Sequence, residues 1–233
     1  MRKILGCIKR AQQDFHMIEE GDIVAVGLSG GKDSMTLLYA LNLYRRFSPV
    51  NYTLKGITVD MGFPGFDMEK IQSFCEAQDA EFIPLKTRIG ELIFEEKQEK
   101  NPCGLCSRMR RGLLNRVCDE KGITRLALGH HGDDLLETFF MSMVFESRLN
   151  TFRPVTAFER ASVIQIRPLI YACESDLQAA AARHAVPAVE NPCPASGFTQ
   201  RQSMKAFIAA LEQSTGQPRT HMIRALCSDF LNT

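Results

Sequence analysis

Six consecutive residues, Ser29-Gly30-Gly31-Lys32-Asp33-Ser34, lie between an apolar β-type run, Ile23 to Leu28, and a helix-patterned run from Met35 to Tyr44. A strand that turns through two glycines into a helix start builds an anion site, because the unpaired N–H groups of the turn and of the first helical turn point at one spot. Gly30 and Gly31 tolerate positive φ and let a phosphate approach the backbone. Lys32 adds a full charge, and Ser29 and Ser34 add hydroxyls at the rim. The stretch predicts a phosphate cradle. It is not the common P-loop, because Gly27 and Gly31 are separated by three residues rather than four and Asp33 follows the lysine. A G-x-G-x-x-G fingerprint is absent as well.

Cysteine supplies the second candidate chemistry. Asn101-Pro102-Cys103-Gly104-Leu105-Cys106 carries a C-x-x-C pair, and Asn191-Pro192-Cys193-Pro194 repeats the Asn-Pro-Cys tripeptide. Proline fixes its own φ and extends the residue before it, so each thiol is expected on a rigid loop. Three cysteines without a second C-x-x-C leave three readings open: a thiolate-held iron–sulfur centre, a zinc site with an open position, or free thiols. The other five cysteines, Cys7, Cys75, Cys118, Cys173 and Cys227, lie in apolar contexts and read as small core residues.

The elements that position these groups alternate. Strands are expected at 23–28, 52–59, 81–85, 125–129 and 162–166. Helices are expected at 2–18, 35–44, from Met68 through Cys75, 107–121, 133–146, 174–184, 199–213 and 221–231, with a short exposed helix and loop over 89–100. This order predicts an α/β fold, a Rossmann-like parallel five-stranded sheet with helices on both faces. A small helical appendage is expected over 171–233, behind a nucleotide-binding domain over 1–170. Ligands of such sheets bind beyond the carboxyl ends of the strands. The cradle follows strand one, Asp60 ends strand two, and Gly129-His130-His131-Gly132-Asp133-Asp134 follows strand four. The histidines are cleft or packing residues, and the aspartates are site residues or caps of the next helix.

Composition sets the bounds. At 233 residues, with 45% hydrophobic and 24% charged residues, the chain suits one large soluble domain or a domain plus an appendage. No apolar stretch approaches a bilayer span and no signal-peptide core is present, so a cytoplasmic protein with reduced thiols is expected. A net charge of +1 gives no global attraction to nucleic acid, so any RNA contact needs a local patch.

Ser-Gly-Gly-Lys-Asp-Ser after a hydrophobic strand resembles the pyrophosphatase loop of the PP-loop ATP pyrophosphatases, a family with an adenine nucleotide alpha-hydrolase-like fold whose members adenylylate a substrate oxygen. The chain from Phe15-His16-Met17-Ile18 to Arg201-Gln202 is similar to the bacterial tRNA 2-thiocytidine synthetase group of that family. The matching blocks are Leu28–Ser34, Cys103-Gly104-Leu105-Cys106-Ser107-Arg108, Gly129–Asp134 with Glu137-Thr138-Phe139-Phe140, Ile166-Arg167-Pro168-Leu169 and Pro192-Cys193. The resemblance implies a homodimer with a [4Fe–4S] cluster on Cys103, Cys106 and Cys193, the fourth iron holding a hydrosulfide.

It also implies ATP bound by Ser29, Gly30, Gly31, Lys32, Asp33 and Ser34, with Asp60, Gly129 and His130 completing the nucleotide site. Catalysis would fall to Lys32, to Asp33 and to one of Asp133 and Asp134, acting on Mg²⁺ or substrate. The implied partners are tRNA and a sulfur donor such as a cysteine desulfurase or sulfide. Arg108, Arg110 and Arg111, with Arg116, Lys121 and Arg125 behind them, would form the tRNA patch; charge alone fits a solvated helix face. The group usually carries a second cysteine and Gly-Ser-Gln after the third ligand, and often a basic residue before the paired aspartates. Here those places read Pro194-Ala195-Ser196-Gly197-Phe198 and Gly132. The function implied is ATP- and cluster-dependent 2-thiolation of a tRNA cytidine. The alternatives are a PP-loop thiolase or amidating ligase for another base or a small molecule, and a nucleotide- and metal-binding regulator without turnover.

Overall fold

The computed structural model describes residues 1–96, 102–159, 161–195 and 200–231. Its strands are β1 (Asp22–Gly27), β2 (Tyr52–Asp60), β3 (Glu81–Lys86), β4 (Arg125–Ala127), β5 (Val155–Phe158) and β6 (Ala161–Ile166). They form one sheet in the order β3-β2-β1-β4-β6-β5. The first five strands in that order run parallel, and β5 pairs antiparallel with β6. The five parallel strands are the five expected ones. The sixth, β5, was not expected: it is four residues long, follows Pro154 and has no turn-glycine signal before β6. It covers what would otherwise be the open edge of β6.

The helices are α1 (Arg2–Phe15), α2 (Lys32–Tyr44), α3 (Met68–Ala77), α4 (Ile89–Glu91), α5 (Pro102–Glu120), α6 (Gly132–Phe145), α7 (Glu174–Arg183), α8 (Gln200–Thr215) and α9 (Arg219–Ala225). π-helical turns extend α4 over Leu92–Glu96 and α9 over Leu226–Phe230. The first helix stops three residues before the expected end, where His16 takes a left-handed conformation at φ 46°.

Two further expectations change. The segment from Ile89 is not an exposed helix, because Ile89 and Ile93 are buried against α5 and the sheet; residues 97–100 lie outside the described ones. The C-x-x-C pair is not on a loop either. Pro102 occupies the first turn of α5, where a missing N–H costs nothing, so Cys103 and Cys106 ride on a helix.

The sheet is buried on both faces, as parallel sheets are. Val24 and Val26 of β1 face a cluster with α1, α2 and α6, and Ala25 faces one with Leu114, Val117 and Cys118 of α5. The helical segment expected from residue 171 contributes Leu177, Ala180, Ile208, Ile223 and Cys227 to the first cluster. Among the described residues no helix is long and apolar enough to cross a membrane.

Gly132 opens α6 where that segment closes over it. A Cβ there would stand 2.5 Å from Ile223 Cδ1 and 3.1 Å from the carbonyl oxygens of Ile170 and Ala172. Close packing of α9 against the start of α6 therefore accounts for glycine where a basic residue is common. Gly132→Ala is expected to destabilise the protein by about 1–3 kcal/mol, as overpacking does. In urea unfolding, Gly132→Ala and Ile223→Ala combined should lose less than the sum of the two single changes.

Candidate active site

The loop after β1 has the local geometry of an anion cradle. Gly30 holds φ +82° and its carbonyl accepts the Val189 N–H at 2.8 Å; a Cβ there would stand 2.9 Å from Val189 Cβ. Gly31 is extended and precedes α2. The hydroxyls of Ser29 and Ser34 lie 3.2 Å apart, and Ser34 Oγ accepts the Ser29 N–H and donates to the Gly31 carbonyl. Lys32 Nζ donates to Asp33 Oδ2 at 3.0 Å and to Glu174 Oε1 at 3.1 Å.

Beside the cradle lies a cluster of carboxylates. Asp134 Oδ2 accepts the His131 N–H at 3.1 Å, capping α6, while its Oδ1 accepts from Arg201 at 2.6 Å. Asp133 turns away from the cradle: it accepts the Glu174 N–H at 2.7 Å and pairs with Arg219. The two aspartates therefore have different environments, and Asp134 is the one that faces the cleft. His131, 3% exposed, stands between them, with Nδ1 3.6 Å from Asp133, Nε2 3.4 Å from Asp134 and Nε2 4.0 Å from Asp33.

Burial alone would lower the His131 pKa, but the close approach of Asp133 and the charges of Asp134 and Asp33 outweigh burial and raise it. Burial acts upward on Asp133, and the nearby His131 together with the bonds from Glu174 and Arg219 holds its carboxyl far below the usual range. One turn on, Glu137 is 1% exposed, with Arg201 Nε at 3.7 Å and Lys205 Nζ at 3.9 Å. Its Oε2 makes no hydrogen bond.

Two cavities flank the cradle. The larger, about 440 Å³, opens over the ends of β1, β4 and β6 and is lined by Ser29, Asp33, Ser34, Gly129, His130 and Asp134 on one side. Arg110, Arg111, Gln165 and Arg167 line the other. The smaller lies over the end of β2, between Val59, Asp60, Met61, Phe63 and Phe66, and Pro192 closes it. Ser29 and Arg110 belong to both.

Every sequence-expected nucleotide residue thus sits on the cradle, on one of these cavities, or beside it. Arg110 and Arg111 face the cleft, whereas Arg108 is exposed and lies off it. Arg125 leaves the expected patch altogether, since it is buried and pairs with Asp22 at 3.1 Å. Arg116 pairs with Glu120 along α5.

Cys103 and Cys193 both lie near enough to Cys106 for their charges to act on it. Cys106 is half-buried; burial raises its pKa, Arg110 opposes this, and Cys193 and Cys103 add to it by proximity. Cys103 is exposed, and Cys193 sits in a turn where its N–H donates to Asn191 Oδ1 at 3.1 Å. Among the described residues no three His, Cys, Asp or Glu side chains stand close enough to share a single metal ion. In a cubane each thiolate binds its own iron, and three soft sulfur donors suit that demand. The other cysteines pack as expected: Cys75, Cys118, Cys173 and Cys227 are buried and Cys7 half-buried. Residues 196–199, where the departure after Cys193 continues, lie outside the described ones.

Sequence reasoning assigned no role to Gln165, Arg167, Glu174, Arg201, Lys205 or Arg219. The signal for Gln165 was available, as a polar residue inside the strand run Val163-Ile164-Gln165-Ile166. The cations of α8 and α9 had none, because their partners are distant in the chain.

A parallel sheet whose first strand delivers a glycine turn and helix N-terminus at the topological switch point, flanked by two cavities, defines a nucleotide-binding α/β protein. A family model described as the PP-loop domain matches residues 6–211. The chain belongs to the PP-loop family. It is 35% identical over 230 residues to the tRNA-cytidine(32) 2-sulfurtransferase of Geobacter metallireducens, covering 97% of this chain and 90% of that one. To the enzyme of the same name from Methylococcus capsulatus it is 39% identical over 215 residues, covering 91% and 73%.

Among solved structures, the U34-tRNA thiolase NcsA of Methanococcus maripaludis with its [4Fe-4S] cluster superposes with a TM-score of 0.79 at 25% identity, covering 98% of this chain and 78% of that one. The NMN synthetase of Francisella tularensis shares the fold, at a TM-score of 0.57, 11% identity and coverage of 97% and 90%.

Glu137 makes the cluster pH-sensitive. Its pKa is pushed up to about 7, first by burial and also by Asp134, with Lys205, Arg201 and His131 opposing. The folded protein then keeps a proton that the unfolded chain releases in the ordinary carboxylate range, so stability falls as pH rises from there through about 7. Glu137→Gln should abolish this component. Its melting temperature should decline less than that of the wild type between about pH 5 and about pH 8.

Proposed function

We propose that this protein is an ATP-dependent sulfurtransferase that 2-thiolates a cytidine of tRNA. The observation that carries the reading is Arg110, which lines both cavities and contacts Cys106, so that the thiols and the phosphate cradle share one wall. A regulator without turnover gives no reason for the cavities beside the cradle to be walled by residues next in sequence to Cys106 and Cys193, namely Ser107 and Pro192.

The chemistry follows from which groups are gripped. The cradle holds the β and γ phosphates as a leaving group, which makes the α phosphorus the electrophile. The base O2 attacks it, the bond from the α phosphorus to the bridging oxygen breaks, and pyrophosphate leaves. Sulfur delivered as hydrosulfide then adds at C2, AMP departs with the former O2, and the proton goes to solvent. The adenosine is assigned to the side of the smaller cavity, where Phe63, Phe66 and Pro192 give apolar walls beside Asp60; at about 50 Å³ that cavity has to widen to admit it. Lys32 offsets charge on the pyrophosphate.

Asp33 and Asp134 would hold Mg²⁺ together with the phosphates, a ligand set that this ion favours. The buried Oδ1 of Asp33, which has no partner, fits that role. Cys103, Cys106 and Cys193 would hold the [4Fe–4S] cluster, which supplies an open iron for sulfur. The donor is sulfide or a cysteine desulfurase; Arg111 meets the tRNA at the cleft mouth and Arg108, exposed beside the cleft, extends the basic surface. The protein works in the cytoplasm as a homodimer. Exposed Met143, Val144, Phe145 and Leu149 at and just beyond the end of α6 offer an apolar face for the second copy.

With tRNA and ATP the wild type should form AMP, pyrophosphate and 2-thiocytidine, read by chromatography and nucleoside mass spectrometry. Lys32→Ala should lower turnover by about 10². ADP and inorganic phosphate as stoichiometric products would refute the chemistry.

Protein purified without oxygen should carry about four irons per chain. Cys103→Ala, Cys106→Ala and Cys193→Ala should each lose iron by elemental analysis, and Cys75→Ala should retain it. Stoichiometric zinc without iron in that preparation would refute the cluster.

A further inference from the structure

The larger cavity has a floor that the nucleotide chemistry does not use. Arg167, just beyond β6, is 7% exposed. Its Nη1 donates to the Arg153 carbonyl at 2.5 Å and to Thr156 Oγ1 at 3.0 Å, and its guanidinium lies 5.0 Å from the Phe152 ring centre. No carboxylate pairs with it among the described residues, and its buried Nε–H has no acceptor. A buried cation left in this state is costly unless a ligand completes it.

His130 lies beside it, its ring 5.1 Å from that of Phe152 and its buried Nδ1 also without a partner. Burial first, and then the Arg167 charge, draws the His130 pKa down to about 4, so the ring is neutral. Gln165, 5% exposed on β6, donates Nε2 to Asn115 Oδ1 at 3.4 Å, which leaves its Oε1 to accept. Gln165, Arg167 and His130 all line the one cavity, and Leu114 and Leu128 wall it with apolar surface suited to a flat ring.

We propose that this floor is the acceptor-base subsite, and that Gln165 selects a pyrimidine carrying an exocyclic amine beside ring acceptors. The inference rests on the thiolation reading above. Gln165 Oε1 accepts from the amine, while Arg167 Nε–H donates to the ring nitrogen or carbonyl. A uracil would set its O4 carbonyl against Gln165 Oε1, two acceptors face to face. The base enters flipped out of its loop, since its pairing edge must be free to be read. Ser29, Asp33 and Ser34 form the opposite wall, which puts the α phosphate of a cradled nucleotide across the cavity from the base.

The test uses the full chain and two tRNA transcripts that differ only in cytidine or uridine at the modified position. Pyrophosphate release in a single turnover reports adenylylation, ATP affinity is measured separately, and melting temperature checks folding. The wild type should prefer the cytidine transcript. Gln165→Leu should lower release with that transcript about tenfold or more and bring the cytidine-to-uridine ratio towards one, with ATP affinity unchanged. Gln165→Glu keeps the acceptor and should keep the preference. If Gln165→Leu does not fold, Gln165→Met takes its place. A ratio unaltered in the apolar variant would overturn the proposal. So would an equal loss of ATP affinity, which would give the floor to the nucleotide. A wild type that forms no 2-thiocytidine and releases no pyrophosphate with either transcript would overturn the thiolation reading itself, and the subsite with it.

Discussion

Five carboxylates, Asp33, Asp133, Asp134, Glu137 and Glu174, meet at the carboxyl end of the sheet, and the rest of the structure is arranged to make that tolerable. Part of the compensation is local. Asp33, Asp133, Asp134 and Glu174 occupy first turns of α2, α6 and α7, where helix N-termini favour negative charge. That interaction is too small to bury the charge of Asp133, which needs full counter-charges, while the buried Glu137 keeps its proton up to about pH 7. His131 and Lys32 come from the same end of the sheet, and Arg201, Lys205 and Arg219 come from the helices after residue 171. Those helices therefore neutralise the site as well as cover the core. Arg219 also pairs with Glu212, so that α8 and α9 are held to each other as well as to α6.

This division explains what could be read from the sequence. The strand–turn–helix at Ser29–Ser34 is local chemistry, and six neighbouring residues specify it. The parallel strands were legible because each is an apolar run bounded by turn residues. Strand β5 was not, because four residues after a proline form a strand only when β6 is beside them. The counter-charges were illegible for a related reason: Arg201 meets Asp134 across 67 residues, and Arg219 meets Asp133 across 86. A surface arginine and a buried clamp look alike in one dimension. Gly132 was visible as a departure, but its reason lies in Ile223, which no local pattern indicates.

The basic stretch of α5 shows how helical geometry sorts residues that composition lumps together. Ser107, Arg110, Arg111 and Leu114 follow one another at the spacing of a single helix face, and all four line the larger cavity. Arg108 falls off that face and is exposed. Cys103 and Cys106 precede Arg110 at intervals of three and four and so continue the same face towards the start of α5. With the C-x-x-C pair on a helix rather than a loop, the distance from the thiols to the cleft wall is set by the helical rise and not by loop conformation.

The third cysteine arrives differently, and that difference links the two halves of the site. Cys193 belongs to the irregular segment between α7 and α8, and this segment is fastened to the cradle itself. The Val189 N–H bonds to the Gly30 carbonyl, and Asn191 and Pro192 wall the smaller cavity. In the proposed ATP complex the adenosine side would pack against the two residues immediately before Cys193, and the phosphates would lie on the loop that holds Val189. Two thiols are therefore held by α5, and the third by a segment that also walls the proposed nucleotide site. The short run from Val189 to Cys193 is the physical element that would join the proposed ATP site to the proposed sulfur site.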